Sequence, residues 1–520
     1  MAVNPNDKKM SKTAGGTAGS GIARLNMQFQ APMPQALALV PEDVARKYNV
    51  LPVSIEGNTL RVFMANPSDI LTIENLSIYT KKRIDPVMAA ASDIKEAIEY
   101  NYRTVKEESR SPEAGLASVT SPSSDDRMAA ESGADTSIAR QLDRMLEEGM
   151  KARASDIHIE PDESRVRIRY RIDGILHEVA SLPLIVHQPL ISRIKILSDM
   201  NIADHRRPQD GQFSFESNNT RLDIRVATIN CVNGEMAVLR LLNKDLAALA
   251  LPQIGFIRES QEQFEKMLMM PYGMVLISGP TGAGKTTTLY AAVNSLDSAG
   301  KNIITIEDPV EYRFENINQI QVNVKAGLTF ASGLRSIVRL DPDVILVGEI
   351  RDSETAQIAV QSALTGHLVL SSVHANDTVG VLFRLIDLNV EPFLISSALI
   401  GIIAQRMVRR VCPHCAKKVT VPLVEQMAYE REMGESKTEF MYGAGCKECV
   451  YSGYLGRTAI FEILTITDEL RRMIVSNASN ADIRATALSQ GLVSIARDGM
   501  MKAKNGLTTP YEVLRNAFTI

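Results

Sequence analysis

The run Gly279-Pro280-Thr281-Gly282-Ala283-Gly284-Lys285-Thr286 constrains this chain more than any other stretch. It fits G-x-x-x-x-G-K-[ST] at every fixed position. Glycines at 279, 282 and 284 let the backbone wrap closely around a polyphosphate and turn its N–H groups inward. Lys285 brings a positive charge toward the β- and γ-phosphates, and Thr286 a hydroxyl for Mg²⁺. The flanks agree: Met274-Val-Leu-Ile277 is a short apolar run suited to a buried strand, and Thr287 to Leu296 reads as a helix opening at the phosphates.

At 520 residues the chain is long enough for several domains, each with its own core. A net charge of −4 gives no support for broad electrostatic binding to nucleic acid. The basic cluster Arg406, Arg409, Arg410, Lys417 and Lys418 reads as a solvated face. The most apolar stretch, Phe393 to Ala404, is too short to span a membrane and reads as a core helix. The start is polar and rich in Gly, Ser and Thr, unlike a secretory signal, so a cytoplasmic protein is expected.

Of five cysteines, four form two C-x-x-C pairs, Cys412/Cys415 and Cys446/Cys449, thirty residues apart. In a cytosolic chain this pattern reads as a four-thiolate structural zinc site, each pair setting two sulfurs on one tight turn. His414 lies inside the first pair as a bystander, and Cys231 reads as a small core residue.

Residues 1–33 look disordered. Residues 34–103 read as a small α/β module, with helices at Pro41–Tyr48, Asp69–Tyr79 and Ser92–Tyr100 and strands at Leu51–Ile55 and Thr59–Met64. Residues 104–134, rich in Ser, Glu, Asp, Ala and Pro, read as a flexible linker. A second domain, 135–250, opens with an amphipathic helix carrying Ile138, Leu142, Met145 and Leu146. It continues with alternating strands, among them Val166–Ile172, whose arginines fall on one face and aliphatics on the other. The third domain, 251–520, alternates strands and helices, which points to a parallel sheet with flanking helices. It includes the zinc-binding insert, 410–455, and C-terminal helices, 468–520.

Three further motifs carry chemistry. Ile303-Ile-Thr-Ile-Glu307-Asp308-Pro-Val-Glu311 delivers three carboxylates at a strand end, where a parallel sheet presents its ligands; Mg²⁺ and a water to be activated would offset their repulsion. Val344–Val347 is a second buried strand, followed by Gly348 and Glu349. Thr365-Gly-His367 and His374 then bracket a third strand, and His374 suits a hydrogen bond to a γ-phosphate.

GPTGAGKTTTLY, TIEDPVEY, RLDPDVILVGEIRD, TGHLVLSSVHAND, the CPHC and CKEC pairs and GYLGRTAIFEIL together resemble the GspE/PilB family of secretion ATPases, the motors of type II secretion and type IV pilus extension. RIRYRIDG and PQDGQ fit the same family's second N-terminal domain, and the match over 34–102 is looser. The resemblance implies a RecA-like P-loop ATPase core preceded by a PAS-like α+β domain and a small N-terminal docking module. It also implies a cytoplasmic homohexamer hydrolysing ATP with Mg²⁺, its sites lying between the PAS-like and RecA-like domains. Partners would be an inner-membrane platform protein and a docking protein of the pilus or secretion machine. Membrane contact would be indirect, and no nucleic acid would be involved.

Carried over by motif, Gly279, Pro280, Thr281, Gly282, Ala283, Gly284, Lys285, Thr286 and Thr287 would hold the nucleotide, with Thr286 on Mg²⁺. Glu311 would polarise the attacking water and Glu349 orient that water or the Mg²⁺ shell. His374, and with it His367, would report on the γ-phosphate. Arg335 and Arg339, four apart on a helix face, and Arg206 and Arg221, from the second domain, would stabilise transition-state charge; Arg457 is a further candidate. A retraction-type motor, a nucleotide-binding scaffold without turnover and a nucleic-acid translocase are the competing readings. Relatives that bind a cyclic dinucleotide open on an R-L-G helical segment that residues 1–33 lack, so partner docking is the expected role of the first module.

Overall fold

In a computed structural model of the chain, the described residues are 32–65, 69–89, 124–217, 220–242 and 249–517, with positions 91, 94, 95, 97, 98 and 102. Of the disorder expected over 1–33, residues 1–31 lie outside them, as do residues 104–123 of the linker expected over 104–134. The chain divides into two units, residues 1–213 with 224–241, and residues 214–223 with 242–520.

The first unit begins with a three-stranded sheet, β1 (Val50–Glu56), β2 (Thr59–Met64) and β3 (Arg83–Met88), in that order. β1 and β2 form a hairpin turning at Gly57, whose φ of +60° suits glycine. β3 returns parallel to β2 after the helix Ile70–Thr80, which Asp69 caps by accepting the Thr72 N–H at 3.2 Å. Val50, Leu60, Phe63, Leu76, Ile94 and Ile98 make its core.

A six-stranded sheet follows: β4 (Ala154–Pro161), β5 (Arg165–Ile172), β6 (Ile175–Pro183), β7 (Gln209–Ser217), β8 (Thr220–Cys231) and β9 (Gly234–Leu242), ordered β6-β5-β4-β9-β8-β7. Strand alternation sorts β5 cleanly: Val166, Ile168, Tyr170 and Ile172 are buried. Arg165, Arg167, Arg169 and Arg171 pair with Glu178, Glu160 and Asp156 on the other face. The helices Ser124–Lys151 and His187–Leu197 pack with the sheet, Tyr170 donating its hydroxyl to the Met145 carbonyl at 2.8 Å.

Two expectations change here. The linker was expected to run to residue 134, but the helix starts at Ser124. Asp125 and Asp126 favour a helix N-terminus, and Met128-Ala-Ala-Glu131 are strong helix formers, so composition read as polar spacer is also helical. Cys231, expected in the core, ends β8 and is exposed.

The second unit is built on β10 (Gly273–Ser278), β11 (Ile303–Glu307), β12 (Asn318–Gln321), β13 (Val344–Val347), β14 (Leu368–Val373), β15 (Leu399–Val411) and, beyond the short hairpin β16 (Ala416–Thr420) and β17 (Glu439–Gly443), β18 (Tyr454–Thr465). The order is β12-β11-β13-β14-β10-β15-β18, parallel throughout except for β18 against β15. Successive residues of β10 serve opposite faces: Met274 and Leu276 join one apolar cluster, Val275 and Ile277 the other. Burying each such side chain contributes about 2 kcal/mol.

Phe393 to Ala404, expected as one core helix, is split. The helix Pro392–Ala398 ends where β15 begins, and Leu399–Ala404 runs beside β10 in mid-sheet. Its apolar residues, interrupted only by Ser396, Ser397 and Gly401, carry no clear period to separate helix from buried strand. Gly401 permits the strand to pass Met267, whose methyl would sit 2.4 Å from an added Cβ.

The hairpin β16/β17 and the helix Leu423–Met433 form the insert. The helices Asp468–Val475, Asn480–Ser489, Ile495–Lys504 and Pro510–Ala517 close the chain. They are tied back to β15 by Arg409, which donates to Glu512 at 2.6 Å, and by the Val411 N–H on the Leu507 carbonyl at 2.9 Å. Arg406 and Arg409, read as part of a solvated basic face, are thus engaged in the fold, because β15 carries them into the sheet.

Candidate functional site

Four strands of the parallel sheet end at one edge, and each delivers a polar segment there. β10 runs into the phosphate loop, β11 into Glu307 and Asp308, β13 into Gly348 and Glu349, and β14 into His374, while β15 continues past this edge and presents Gln405 and Arg406 from mid-strand.

The loop's conformation requires its glycines. Gly279 has φ +149° and an added Cβ would lie 2.4 Å from the Gln405 carbonyl oxygen. Gly284 has φ +84° and starts the helix Lys285–Asn294. Gly282, at φ +78°, faces open space. The Lys285 ammonium folds across this cradle, donating to the Gly279 carbonyl at 2.7 Å and the Pro280 carbonyl at 3.4 Å. Thr286 is exposed in the first helical turn, with Thr287 half-buried beside it. A helix N-terminus, a ring of backbone N–H groups and a cation therefore meet at one spot, which suits a polyphosphate.

Electrostatics sharpen this. Burial pulls the Lys285 ammonium below its ordinary value, with Glu349 acting against that and Arg406 adding to it. Burial likewise lowers Arg406, countered by Asp377. Arg406 is 9% exposed and donates to the Asn376 carbonyl at 3.1 Å. Lys285 and Arg406 are two partly desolvated cations that feel one another's charge, and an anion near both would be held more strongly than in water.

Glu349 is ion-paired with Arg351 and lies 3.4 Å from His374 Nε2. The hydrogen bond to Glu349 holds the Arg351 guanidinium above its ordinary value, with Asp308 contributing at longer range. The backbone around Glu349 is tied on both sides. Gly348 N–H donates to the Ile306 carbonyl at 2.8 Å and Ile350 N–H to the Ser372 carbonyl at 2.9 Å.

The acidic segment after β11 differs from its expected form. Glu307 is 3% exposed, accepts from the Thr305 hydroxyl at 2.6 Å and from Gln319 at 3.1 Å, and is bonded to the Tyr290 hydroxyl. Of the three carboxylates, Asp308 is exposed and Glu311 half-buried, while Glu307 belongs to the interior.

His367 does not join this edge. Its carbonyl accepts the Gly273 N–H at 3.1 Å, at the start of β10, and its ring Nδ1 contacts the Ser362 carbonyl at 2.8 Å. Six residues of β10 separate it from the phosphate loop, about 20 Å of strand. Arg339 likewise does not share a helix face with Arg335. The helix Phe330–Ile337 ends before it, and Val338 is the cap. Arg335 is exposed and paired with Glu354. Arg206 is exposed beside Asp204, its own N–H donating to Asp204 at 3.0 Å. Arg221 is exposed on β8, with Ser214 Oγ at 3.3 Å, and Arg457 is exposed on β18.

Motif reading missed three residues. Gln405 donates to the Ala283 carbonyl at 2.7 Å and accepts from Thr288 at 2.8 Å, fixing the loop from β15. Arg406 is the second of the two cations, and Arg351 engages Glu349. A polar Gln-Arg pair directly after the apolar run Leu399–Ala404 was the available signal.

The four cysteines converge as a metal-binding group, their sulfurs all within 4.8 Å of one another. Cys412–Cys446 is 3.7 Å, Cys415–Cys449 3.8 Å and Cys446–Cys449 3.6 Å. Tetrahedral metal–sulfur bonds of about 2.3 Å require sulfur separations near 3.8 Å, so the donor set fits such an ion. Burial pushes the Cys412 and Cys415 thiols up; at Cys446 burial is outweighed by hydrogen bonds, which pull it down. His414 is not in the group.

Residues 131–515 match the family described as "Type II/IV secretion system protein", and residues 20–108 match "MshEN domain". The second match begins inside the segment expected to be disordered. The chain is 40% identical over 506 residues to the type IV pilus assembly ATPase PilB of Myxococcus xanthus, covering 95% of this chain and 89% of that one. It is 46% identical over 394 residues to type II secretion system protein E of Dickeya dadantii, covering 76% and 78%. The fold also resembles the Legionella pneumophila ATPase DotB, with a TM-score of 0.54 at 21% identity over 72% of this chain and 94% of that one. No helix among the described residues is long and apolar enough to cross a membrane.

Proposed function

The chain belongs to the family of type II/IV secretion system proteins, and from that premise we propose that it is an ATPase motor driving assembly of pilin or pseudopilin subunits. The observation that carries this reading is the meeting of the glycine cradle, Lys285, Arg406 and Glu349 at one sheet edge. Backbone N–H groups of the loop from Thr281 to Thr286 and the Lys285 ammonium bind and orient the polyphosphate of ATP. Lys285 then gives up its own-loop carbonyls for phosphate oxygens. Mg²⁺, held through Thr286, would neutralise charge developing on the phosphoryl group. Glu311 polarises the attacking water, and Glu349, steadied by Arg351, orients it. His374 donates a hydrogen bond toward the terminal phosphate. The products are ADP and phosphate, and catalysis is chiefly positional and electrostatic.

We assign Arg206 and Arg221, and on the ATPase unit Arg335 and Arg339, to transition-state charge within a homohexamer, where exposed arginines can act across subunits. Contacts to the terminal phosphate would bias a closed arrangement that hydrolysis releases. The four cysteines would hold zinc as a structural ion, ordering the insert. Residues 34–103 would dock a partner of the machine, 104–123 would be a linker and 135–250 the PAS-like domain. The motor would act at the cytoplasmic face of the inner membrane through a platform protein. Support for assembly over retraction comes from the cysteine insert and the segment preceding the PAS-like domain, which assembly motors share.

Deleting the gene and restoring it with parent or Lys285→Ala tests the reading. Pili or secretion should return with the parent chain and stay absent with the variant. Full restoration by Lys285→Ala would overturn it.

A further inference from the structure

Tyr290 and Glu307 form a buried polar pair that the chemistry above does not use. Tyr290 is 2% exposed and stands five residues beyond Lys285 on the same helix. Its hydroxyl donates to Glu307 Oε2, and its oxygen accepts the Glu311 backbone N–H at 3.2 Å, with the Tyr312 backbone N–H also contributing. Glu307 accepts from Thr305 and Gln319 as well. Gln319 also spans the acidic segment, donating to the Tyr312 carbonyl at 2.9 Å and accepting the Phe314 N–H at 2.9 Å. The Tyr290 ring meets Phe314 edge-on at 4.9 Å and Tyr312 at 6.0 Å.

We propose that Tyr290 and Glu307 are positioning residues, which hold the backbone of Glu311 in register with the phosphate-loop helix. Apolar side chains of the same size would fill this space without the desolvation cost of a buried phenol and carboxylate. What the polar pair adds is direction. The carboxylate only accepts, so the phenol proton points at Glu307 and its lone pairs face the Glu311 and Tyr312 N–H groups. Burial and Glu307 push the phenol far above its ordinary value, so it stays protonated and keeps this polarity. Lys285 and Tyr290 ride one helix about 7.5 Å apart along its axis. Any shift of that helix on engaging phosphate therefore carries the Glu311 backbone with it. The inference rests on the reading that Glu311 polarises the attacking water.

The test uses the full-length chain as Tyr290→Phe, Glu307→Gln, Glu311→Gln and the double variant Tyr290→Phe/Glu311→Gln. Phosphate release, ATP affinity and thermal midpoint are measured for each. Tyr290→Phe should lower kcat by on the order of 10–100-fold, the scale of a misplaced catalytic group. ATP affinity should stay within about threefold, as for an interaction made mainly in the transition state. The double variant should be no slower than Glu311→Gln alone, because Tyr290 acts only through Glu311. Glu307→Gln, which keeps size and shape, gives the same split should Tyr290→Phe fold poorly. A Glu311→Gln defect beside full kcat in both Tyr290→Phe and Glu307→Gln overturns the positioning role alone. Normal turnover in Glu311→Gln overturns the role of Glu311, and the positioning role with it. Parallel loss of kcat, affinity and thermal midpoint would mark the pair as merely structural.

Discussion

Gln405 donates its side-chain amide to the carbonyl of Ala283 at 2.7 Å, so the phosphate loop is held from the adjacent strand as well as by its own turns. The same side chain accepts the Thr288 hydroxyl from the following helix. Gln405→Ala would leave a buried carbonyl and a buried hydroxyl without this partner, at a cost of about 1–3 kcal/mol. ATP affinity should fall roughly two- to tenfold if about half of that cost appears in binding. Titration with a fluorescent ATP analogue measures it; unchanged affinity would show that the loop holds its shape alone.

Glu349→Gln keeps the size of the side chain and removes its charge beside Arg351 and His374. The variant should bind ATP and hydrolyse it roughly 10²- to 10⁴-fold more slowly, the range of a lost acid–base contribution. Single-turnover phosphate release with saturating nucleotide reads this directly. Turnover at the parent rate would remove Glu349 from the mechanism.

Cys446→Ser takes one sulfur from a group whose members lie 3.6–3.8 Å apart. The purified variant should lose about one bound metal ion per chain. Its insert, residues 416–443, should become protease-sensitive, whereas the parallel sheet keeps its own cores. Element analysis and limited proteolysis check the two halves. A parent protein free of metal, with an equally resistant insert, would contradict the assignment.

The Arg409–Glu512 pair predicts a pH signature. Burial pushes the Glu512 carboxyl up, but the Arg409 hydrogen bond and charge prevail and hold it below its ordinary 4.5. A carboxyl lowered in the folded state adds stability above its unfolded value and loses it as pH falls through the folded one. Glu512→Gln should therefore cost about 3 kcal/mol near neutral pH, the scale of a broken buried pair. The gap to the parent should narrow as pH falls below the ordinary carboxyl value and close only once pH has passed the lowered folded one. Urea unfolding across an acid pH series tests this, and a gap that does not change with pH would contradict it.

What sequence could reveal divides along physical lines. The phosphate loop, the carboxylates after β11, Glu349 and the cysteine pairs are contiguous runs whose chemistry is local, so residue type and spacing suffice to find them. Gln405 and Arg406 lie more than a hundred residues beyond the loop that Gln405 touches and whose Lys285 feels the Arg406 charge, and only the β10–β15 pairing brings them there. His367 looked equivalent to His374 because both flank one strand, but a parallel strand sends its two ends to opposite edges of the sheet. Glu307 and Asp308 are neighbours in sequence, but Glu307 is the last residue of β11, a strand buried along its whole length, whereas Asp308 lies just past its end and is exposed. The Phe393–Ala404 run, apolar apart from Ser396, Ser397 and Gly401, carried no clear period.

Phosphate release from Mg-ATP by the purified, metal-loaded full-length chain, beside Lys285→Ala, tests the account most directly. The parent should release phosphate continuously, and Lys285→Ala should fall to background while keeping its fold by circular dichroism. A folded, assembled parent that binds ATP without ever cleaving it, or a Lys285→Ala variant that matches the parent rate, would contradict it.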